Sequence, residues 1–340
     1  MSKVYFIKHH LLQNLRKTLA ENLKKKFKKG DVVVIKPHMG EYGNLAYVRP
    51  PIVGLVVEEL KKIGVKPFIS ETLTLYSGGR DSVEKSYETA RKNGFTEETM
   101  GCSIIISDES IKKKSKFFKN GIDIAKKPYD ADGMVIISHF KGHDLATFGG
   151  AIKNIGMGFV PKSGKKTLHI DTQAEINQSK CIGCGICKDI CFGKAISIKN
   201  KKAVINYDNC FGCCNCVDFC SQKAIKEKTT SLANGLGEVC SFFVDKFRNK
   251  SLYVNVMLDI TSMCDCCPLG STDMGKIVSP NVGIAVSDDI VAIDKASFDL
   301  VQKASNGRFA KIIKSNPLKQ IDAGLKFELG SDNYEIVEIN

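Results

Sequence analysis

Eight of the chain's fourteen cysteines fall into two short runs. Cys181, Cys184, Cys187 and Cys191 are spaced C-x2-C-x2-C-x3-C, and Cys210, Cys213, Cys216 and Cys220 repeat that spacing. Thiolates are soft ligands suited to zinc, copper and iron–sulfur centres. Three sulfurs at intervals of three residues can wrap one compact centre as the chain curls around it. A disulfide framework would be expected in a small secreted chain. Zinc favours paired C-x2-C units over two such runs in tandem. The spacing therefore points to iron–sulfur chemistry, in which a cubane held by four thiolates carries single electrons.

The repeat extends beyond the cysteines. Ala174-Glu175-Ile176-Asn177 precedes the first run and Ala203-Val204-Ile205-Asn206 the second, while Ala195-Ile196 and Ala224-Ile225 follow them at the same offset. Each half reads as strand, cysteine loop with a helical turn, then strand. Gly183, Gly185 and Gly212 allow the loops to curl so that N–H groups can point at sulfur. This segment resembles a bacterial two-cluster ferredoxin, except that Phe192 and Ser221 stand where that family usually has proline. The resemblance implies two [4Fe–4S] clusters with exchanged fourth ligands. One set would be Cys181, Cys184, Cys187 and Cys220, and the other Cys210, Cys213, Cys216 and Cys191.

Two further segments carry reactive residue types. Residues 138–158 place His139, Lys141, His143, Asp144 and Lys153 among glycines 142, 149, 150, 156 and 158. A polar, glycine-lined pocket is expected there, with lysines neutralising a small carboxylate or phosphate and a histidine moving protons. His139 and His143 could share a metal on a helix, although Gly142 between them disfavours one. His169 follows shortly before the cysteine runs. Residues 261–268 hold Cys264, Asp265, Cys266 and Cys267 just after an apolar run, where Cys264 with Cys266 or Cys267 could give a third metal site. Cys102 and Cys240 read as small buried hydrophobes.

The positioning elements follow from periodicity. Apolar, β-branched runs at 32–36, 66–70, 103–107, 133–138 and 252–258 read as buried parallel strands. Helical patterns fall at 11–29, 50–62, 82–92 and 231–248. A strand at 282–286, a helix from Asp288 and a strand pair near 325–327 and 334–337 complete the chain. The alternation predicts an α/β fold, a mostly parallel sheet with helices on both faces. Ligands bind beyond the carboxyl ends of such strands, which here carry Lys36-Pro37-His38, Glu71 and Ser138-His139. The expected division is an α/β domain in two parts, 1–172 and 229–340, interrupted by an α+β ferredoxin-like module at 173–228.

Composition narrows the partners. The net charge is +13, but only six of 50 basic residues are arginine, which argues against a phosphate-reading, nucleic-acid surface. Two oxidised clusters of about −2 each would bring the sum to about +9. The runs Lys24–Lys26 and Lys112–Lys114 read as solvated faces that could meet an acidic redox partner. No apolar run approaches the roughly 18 residues of a membrane helix. The start enters a strand with no secretory or lipidation signal, and the thiol content suits a reducing cytoplasm. No G-x-G-x-x-G nucleotide fingerprint follows a strand.

His139-Phe140-Lys141-Gly142-His143, Gly149-Gly150-Ala151-Ile152-Lys153-Asn154-Ile155-Gly156-Met157-Gly158, Asp259-Ile260-Thr261 with Cys264-Asp265-Cys266, and Val291-Ala292-Ile293-Asp294 are similar to the family catalogued as domain of unknown function 362. That resemblance implies an α/β iron–sulfur protein of anaerobes with an inserted ferredoxin module. More faintly, the order of histidine, Gly149-Gly150, Lys153 and Gly156 resembles a segment of lactate racemase. The expected function is electron transfer through two clusters to a site of His38, His139, His143, Lys153 and Cys264, Cys266 and Cys267, as the redox part of an oxidoreductase. The alternatives are a non-catalytic electron carrier and a metal-dependent enzyme of racemase type.

Overall fold

A computed structural model describes the chain except for residues 77, 144, 192, 266–275 and 314–315. Eight strands, β1 (Ser2–Lys8), β2 (Val32–Lys36), β3 (Lys66–Glu71), β4 (Ser103–Ile106), β5 (Gly133–His139), β6 (Ser251–Met257), β7 (Gly283–Ser287) and β8 (Tyr334–Ile339), share one sheet. Their order is β8-β1-β7-β6-β5-β2-β3-β4. Only β7 runs against its neighbours β1 and β6. The other pairings are parallel.

The sheet is covered on both faces, which is why its strands read as unbroken apolar runs. Along β5, Met134 and Ile136 enter one core while Val135 and Ile137 enter the other. Helices α1 (Leu15–Lys26) and α2 (Pro50–Lys62) close the second core with Leu19, Leu23, Val53, Val56 and Leu60. Helices α3 (Ala151–Gly158), α4 (Leu232–Lys246) and α5 (Ile290–Ala304) close the first with Ile152, Ile155, Leu236, Phe243 and Ile293. Each such side chain, fully buried, contributes about 1.5–3 kcal/mol. The chain is thus an α/β protein with a mostly parallel sheet.

The C-terminal region departs from expectation. Residues 325–327 do not form a strand. They end helix α6 (Lys319–Lys326) and its cap, with Gln320, Ile321, Ala323 and Gly324 buried. The local alternation of Leu325-Lys326-Phe327 is overridden by the helical spacing of Ile321, Gly324 and Leu325, whose buried members face the helical layer. Strand β8 then pairs with β1 and not with a hairpin partner.

Between helix Lys162–Asp171 and α4 the chain forms a small cysteine-rich unit. Ala174–Ile176 pairs with Ile225–Glu227, and Ile196–Lys199 with Lys202–Ile205, all antiparallel. The first strand thus pairs with the last and the two inner strands with each other, as a repeated half would require. Ala174, Ile196, Ala203, Ala224 and Ile225 build its core with Cys181, Cys187 and Cys214. The unit is bonded to the main body through His169 Nδ1 and Phe211 O at 2.7 Å and through Cys214 Sγ and Thr172 O at 3.0 Å.

Candidate functional site

Strands β3, β2, β5 and β6 are consecutive and parallel, so their carboxyl ends place Glu71, Lys36, His139 and Leu258 along one edge. Lys36 Nζ lies 2.9 Å from each carboxylate oxygen of Glu71, both side chains being buried. Burial would raise the Glu71 pKa, but the charges of Lys36, His38 and Arg80 hold it below the usual carboxylate value.

Asp265 is the hub. It is fully buried, and its Oδ1 lies 2.7 Å from Lys141 Nζ. Its Oδ2 is 3.1 Å from His38 Nδ1 and 3.3 Å from His139 Nδ1. Burial again acts to raise its pKa, and His38, Lys141 and His139 reverse that, holding the carboxyl well below its ordinary value. The backbone is fixed by Glu41 N–H donating to Asp265 O (3.0 Å) and by a bridge between Thr261 and Ile277. His139 is fixed from its far side, Nε2 lying 2.8 Å from Leu258 O. A carbonyl only accepts, so the Nε2 carries a proton, while Nδ1 makes the ring's hydrogen bond with the Asp265 carboxylate.

Cys264, also buried, sits beside this hub. Its Sγ is 3.8 Å from Lys153 Nζ and 3.5 Å from Asp265 Oδ1. The His143 ring hydrogen-bonds it as well, while backbone N–H groups of Leu145 and Ala146 both donate to His143 Nδ1 at 3.2 Å. Those two donors leave the ring proton on Nε2. Burial, reinforced by Lys153, pushes the His143 pKa down and keeps the ring neutral. The ligand atoms of His38, Cys264 and Asp265 all lie within 4.8 Å of one another.

Helix α3 delivers Lys153. Asp294 accepts Ala151 N–H at 2.7 Å and Ile152 N–H at 2.9 Å, capping that helix, and Asn255 Nδ2 donates to the same carboxylate at 2.8 Å. Burial raises the Asp294 pKa to about 6 in spite of those bonds. Asn154 ties the helix to β5 through Ser138 Oγ at 3.1 Å and Ile137 O at 3.2 Å.

Several expectations are revised by this geometry. The glycines of 138–158 make room for protein, not for a ligand: a Cβ on Gly142 would strike Ser262 O, and one on Gly150 the Asp294 carboxylate. The pocket is therefore not glycine-lined. His139 and His143 lie on strand segments and turn to different partners, Asp265 and Cys264, so they do not act as a metal-binding pair. His169 bonds the cysteine-rich unit instead. Cys266, Cys267 and Asp144 lie outside the described residues. Asp265 and Asp294 stand inside the family motifs, but their roles were not legible because the partners of both are distant in sequence.

In the cysteine-rich unit, a cavity is lined by Cys181, Cys184, Cys187 and Cys220, three sulfurs of one run with the last of the other. Cys191 neighbours Cys213 and Cys216: burial pushes the Cys216 thiol up to about 12, and the charges of Cys213, Cys210, Cys187 and Cys191 add to the rise. Backbone N–H groups donate to sulfur, among them Ala195 to Cys191 (3.3 Å), Ala224 to Cys220 (3.2 Å) and Ala203 to Cys181 (3.3 Å). The first two are equivalent across the repeat. Cys214 occupies the position of Gly185 in the other half and adopts a left-handed conformation at φ 55°. Burial raises its pKa, and it donates to Thr172 O, away from the other sulfurs. No disulfide joins the described cysteines; Cys240 is buried as expected, whereas Cys102 is only partly buried.

These features define an α/β protein with a buried His/Cys/Asp/Lys site and an inserted unit of clustered cysteines. Residues 33–299 match the family described as Domain of unknown function (DUF362), and the chain belongs to that family. No curated protein matches the chain. A crystal structure of a protein from Thermotoga maritima is similar at 10% identity and TM-score 0.43, over 88% of this chain and 59% of that one. The lactate racemase apoprotein from Thermoanaerobacterium thermosaccharolyticum is similar at 11% identity and TM-score 0.36, over 76% of this chain and 51% of that one. The chain thus spans between half and three fifths of both. No helix among the described residues is long and apolar enough to cross a membrane.

Proposed function

We propose that the protein is an iron–sulfur electron-transfer protein, the redox component of an oxidoreductase, with the buried site at the strand ends receiving its electrons. The observation that carries this reading is the exchange of cysteines. The cavity edged by Cys181, Cys184 and Cys187 is completed by Cys220 from the other run. The donor set fits the group: four soft sulfurs around one cavity, two of them buried, repel one another as thiolates unless a cationic core binds them. When bound, two [4Fe–4S] clusters supply low-potential one-electron transfer. The chain's part is to tune them, since the N–H groups of Ala195, Ala203 and Ala224 stabilise negative charge on sulfur.

The electron partner is an acidic redox protein. Cys184 is exposed on the unit's surface with Ile182, Ile186 and Phe219 around it, an apolar patch flanked by exposed Lys180 and Lys188. At the buried site, Lys141 and Lys153 suit a small anionic substrate, and His38, His139 and His143 are placed to hold or move a proton. A second reading, a metal-dependent enzyme, is favoured by the close approach of His38, Cys264 and Asp265.

The exchange gives the test. Iron and acid-labile sulfide in anaerobically purified protein are expected at about eight each. Cys220→Ser should perturb the cluster held by the first run, and Cys191→Ser the cluster held by the second. Pairing either variant with Cys184→Ser separates the two cases. Cys184→Ser/Cys220→Ser should damage one cluster, and Cys184→Ser/Cys191→Ser both, in the electron paramagnetic resonance of the reduced protein. Iron near two per chain without sulfide would replace the cluster reading with single-metal sites.

A further inference from the structure

We propose that His38, Cys264 and Asp265 hold one divalent transition-metal ion, a centre separate from the cysteine-rich unit. The inference deepens the reading of the buried site given above, but it does not depend on the clusters.

It starts from converging ligand atoms. His139 donates from Nε2 to Leu258 O, and its Nδ1 hydrogen-bonds Asp265 Oδ2 at 3.3 Å. Gly40 N–H donates to His38 Nδ1 at 3.2 Å, so that nitrogen offers a lone pair beside the same carboxylate oxygen, 3.1 Å away. Cys264 Sγ receives Lys153 and the His143 ring, and it lies 3.5 Å from Asp265 Oδ1, which receives Lys141. As a thiol, Cys264 donates to Asp265 Oδ1. Metal binding replaces such a proton, because a ligand thiol is deprotonated when it bonds the ion. One cation bonded to His38, Cys264 and Asp265 takes the place of the thiol proton at atoms that already converge.

The distances agree. Metal–nitrogen, metal–oxygen and metal–sulfur bonds of about 2.0–2.3 Å place the ligands of one ion no more than about 4.6 Å apart. Asp265 lies 3.1 Å from His38 and 3.5 Å from Cys264, inside that reach, and all three donor atoms fall within 4.8 Å of one another. The donor set selects the ion: one thiolate, one imidazole and one carboxylate suit zinc, cobalt, nickel or ferrous iron, and not magnesium or calcium. Three protein ligands leave a coordination position open, the arrangement of a catalytic centre. The remaining side chains form an outer shell, with His139 and Lys141 on the Asp265 carboxylate and Lys153 and His143 on the sulfur. Such partners orient ligands and raise affinity.

The experiment titrates cobalt(II) into anaerobic full-length protein after loosely held metal is removed by a chelator. Absorption is recorded as a difference against the same protein without cobalt, so that cluster bands cancel. Thiolate-to-cobalt charge-transfer and visible ligand-field bands should saturate at one equivalent. Cys264→Ser should abolish the charge-transfer band, and His38→Ala the saturable binding. His139→Ala should weaken it about 10–100-fold, and Cys240→Ser should leave it unchanged. Zinc should displace cobalt at one equivalent and magnesium should not, a readout in wild-type protein that needs no variant to fold. Absence of saturable binding, charge-transfer bands that persist in Cys264→Ser, or displacement by magnesium would overturn the proposal. Iron and sulfide measured in the same samples separate its failure from failure of the cluster reading.

Discussion

Asp294 sets two physical effects against each other, and a pH series can decide between them. Its carboxylate accepts three hydrogen bonds of 2.7–2.9 Å at the amino end of α3, an environment that favours the ionised form. It is also completely buried, and burial wins, raising its pKa from 3.8 to about 6. A carboxyl raised in the folded state binds its proton more tightly there than in the unfolded chain. Its contribution to stability is therefore full below the unfolded pKa and is lost as pH rises through the folded one. That rise corresponds to about 3 kcal/mol. An amide cannot titrate, so in Asp294→Asn that loss disappears. The variant should be less stable than the wild type at pH 4.5, because the amide NH2 turns only hydrogens towards a neighbouring N–H donor, whereas the hydroxyl oxygen of the protonated carboxyl keeps a lone pair for it. The gap between them should narrow by about 2–3 kcal/mol on going to pH 7.5. Urea midpoints followed by far-ultraviolet circular dichroism, wild type beside variant at each pH, measure it, and titrations elsewhere cancel in the difference. A gap that widens as pH rises would mean that the helix end and its hydrogen bonds outweigh burial, refuting the argument. A constant gap would mean that the group keeps its ordinary pKa.

Two further perturbations probe the supports of the site. Gly142→Ala should cost about 1–3 kcal/mol, the range for overpacking, because its Cβ meets the carbonyl of Ser262 two residues before Cys264; thermal unfolding checks this, and an unchanged midpoint would mean that the 261–265 loop yields freely. For the buried pair of Lys36 and Glu71, Glu71→Gln should cost about 3–5 kcal/mol by leaving the ammonium without its counter-charge, while Lys36→Met with Glu71→Leu should recover most of it. Because the Glu71 pKa is held low, the pair's contribution is present at neutral pH and is lost on acidification, so the Glu71→Gln cost measured in urea should shrink towards pH 3.

The sequence by itself determined what depends on local repetition. The cysteine spacing and its offset fixed the two-half unit, because ligand loops and their flanking strands are contiguous in the chain. The β-branched runs at 32–36, 133–138 and 252–258 fixed a buried, mostly parallel sheet, because only strands covered on both faces are apolar throughout. The strand ends at Lys36-Pro37-His38, Glu71 and Ser138-His139 were legible as converging loops for the same reason. Tertiary structure alone decided what depends on partners far apart in sequence. Asp265 meets His38, His139 and Lys141 because β2, β5 and β6 end side by side. Asp294 reaches Ala151 and Ile152 because α5 packs against α3. The glycines of 138–158 were visible, but whether their space belonged to a ligand or to protein was not. Periodicity reports which face of an element is buried; it does not report which distant side chain fills the space above it.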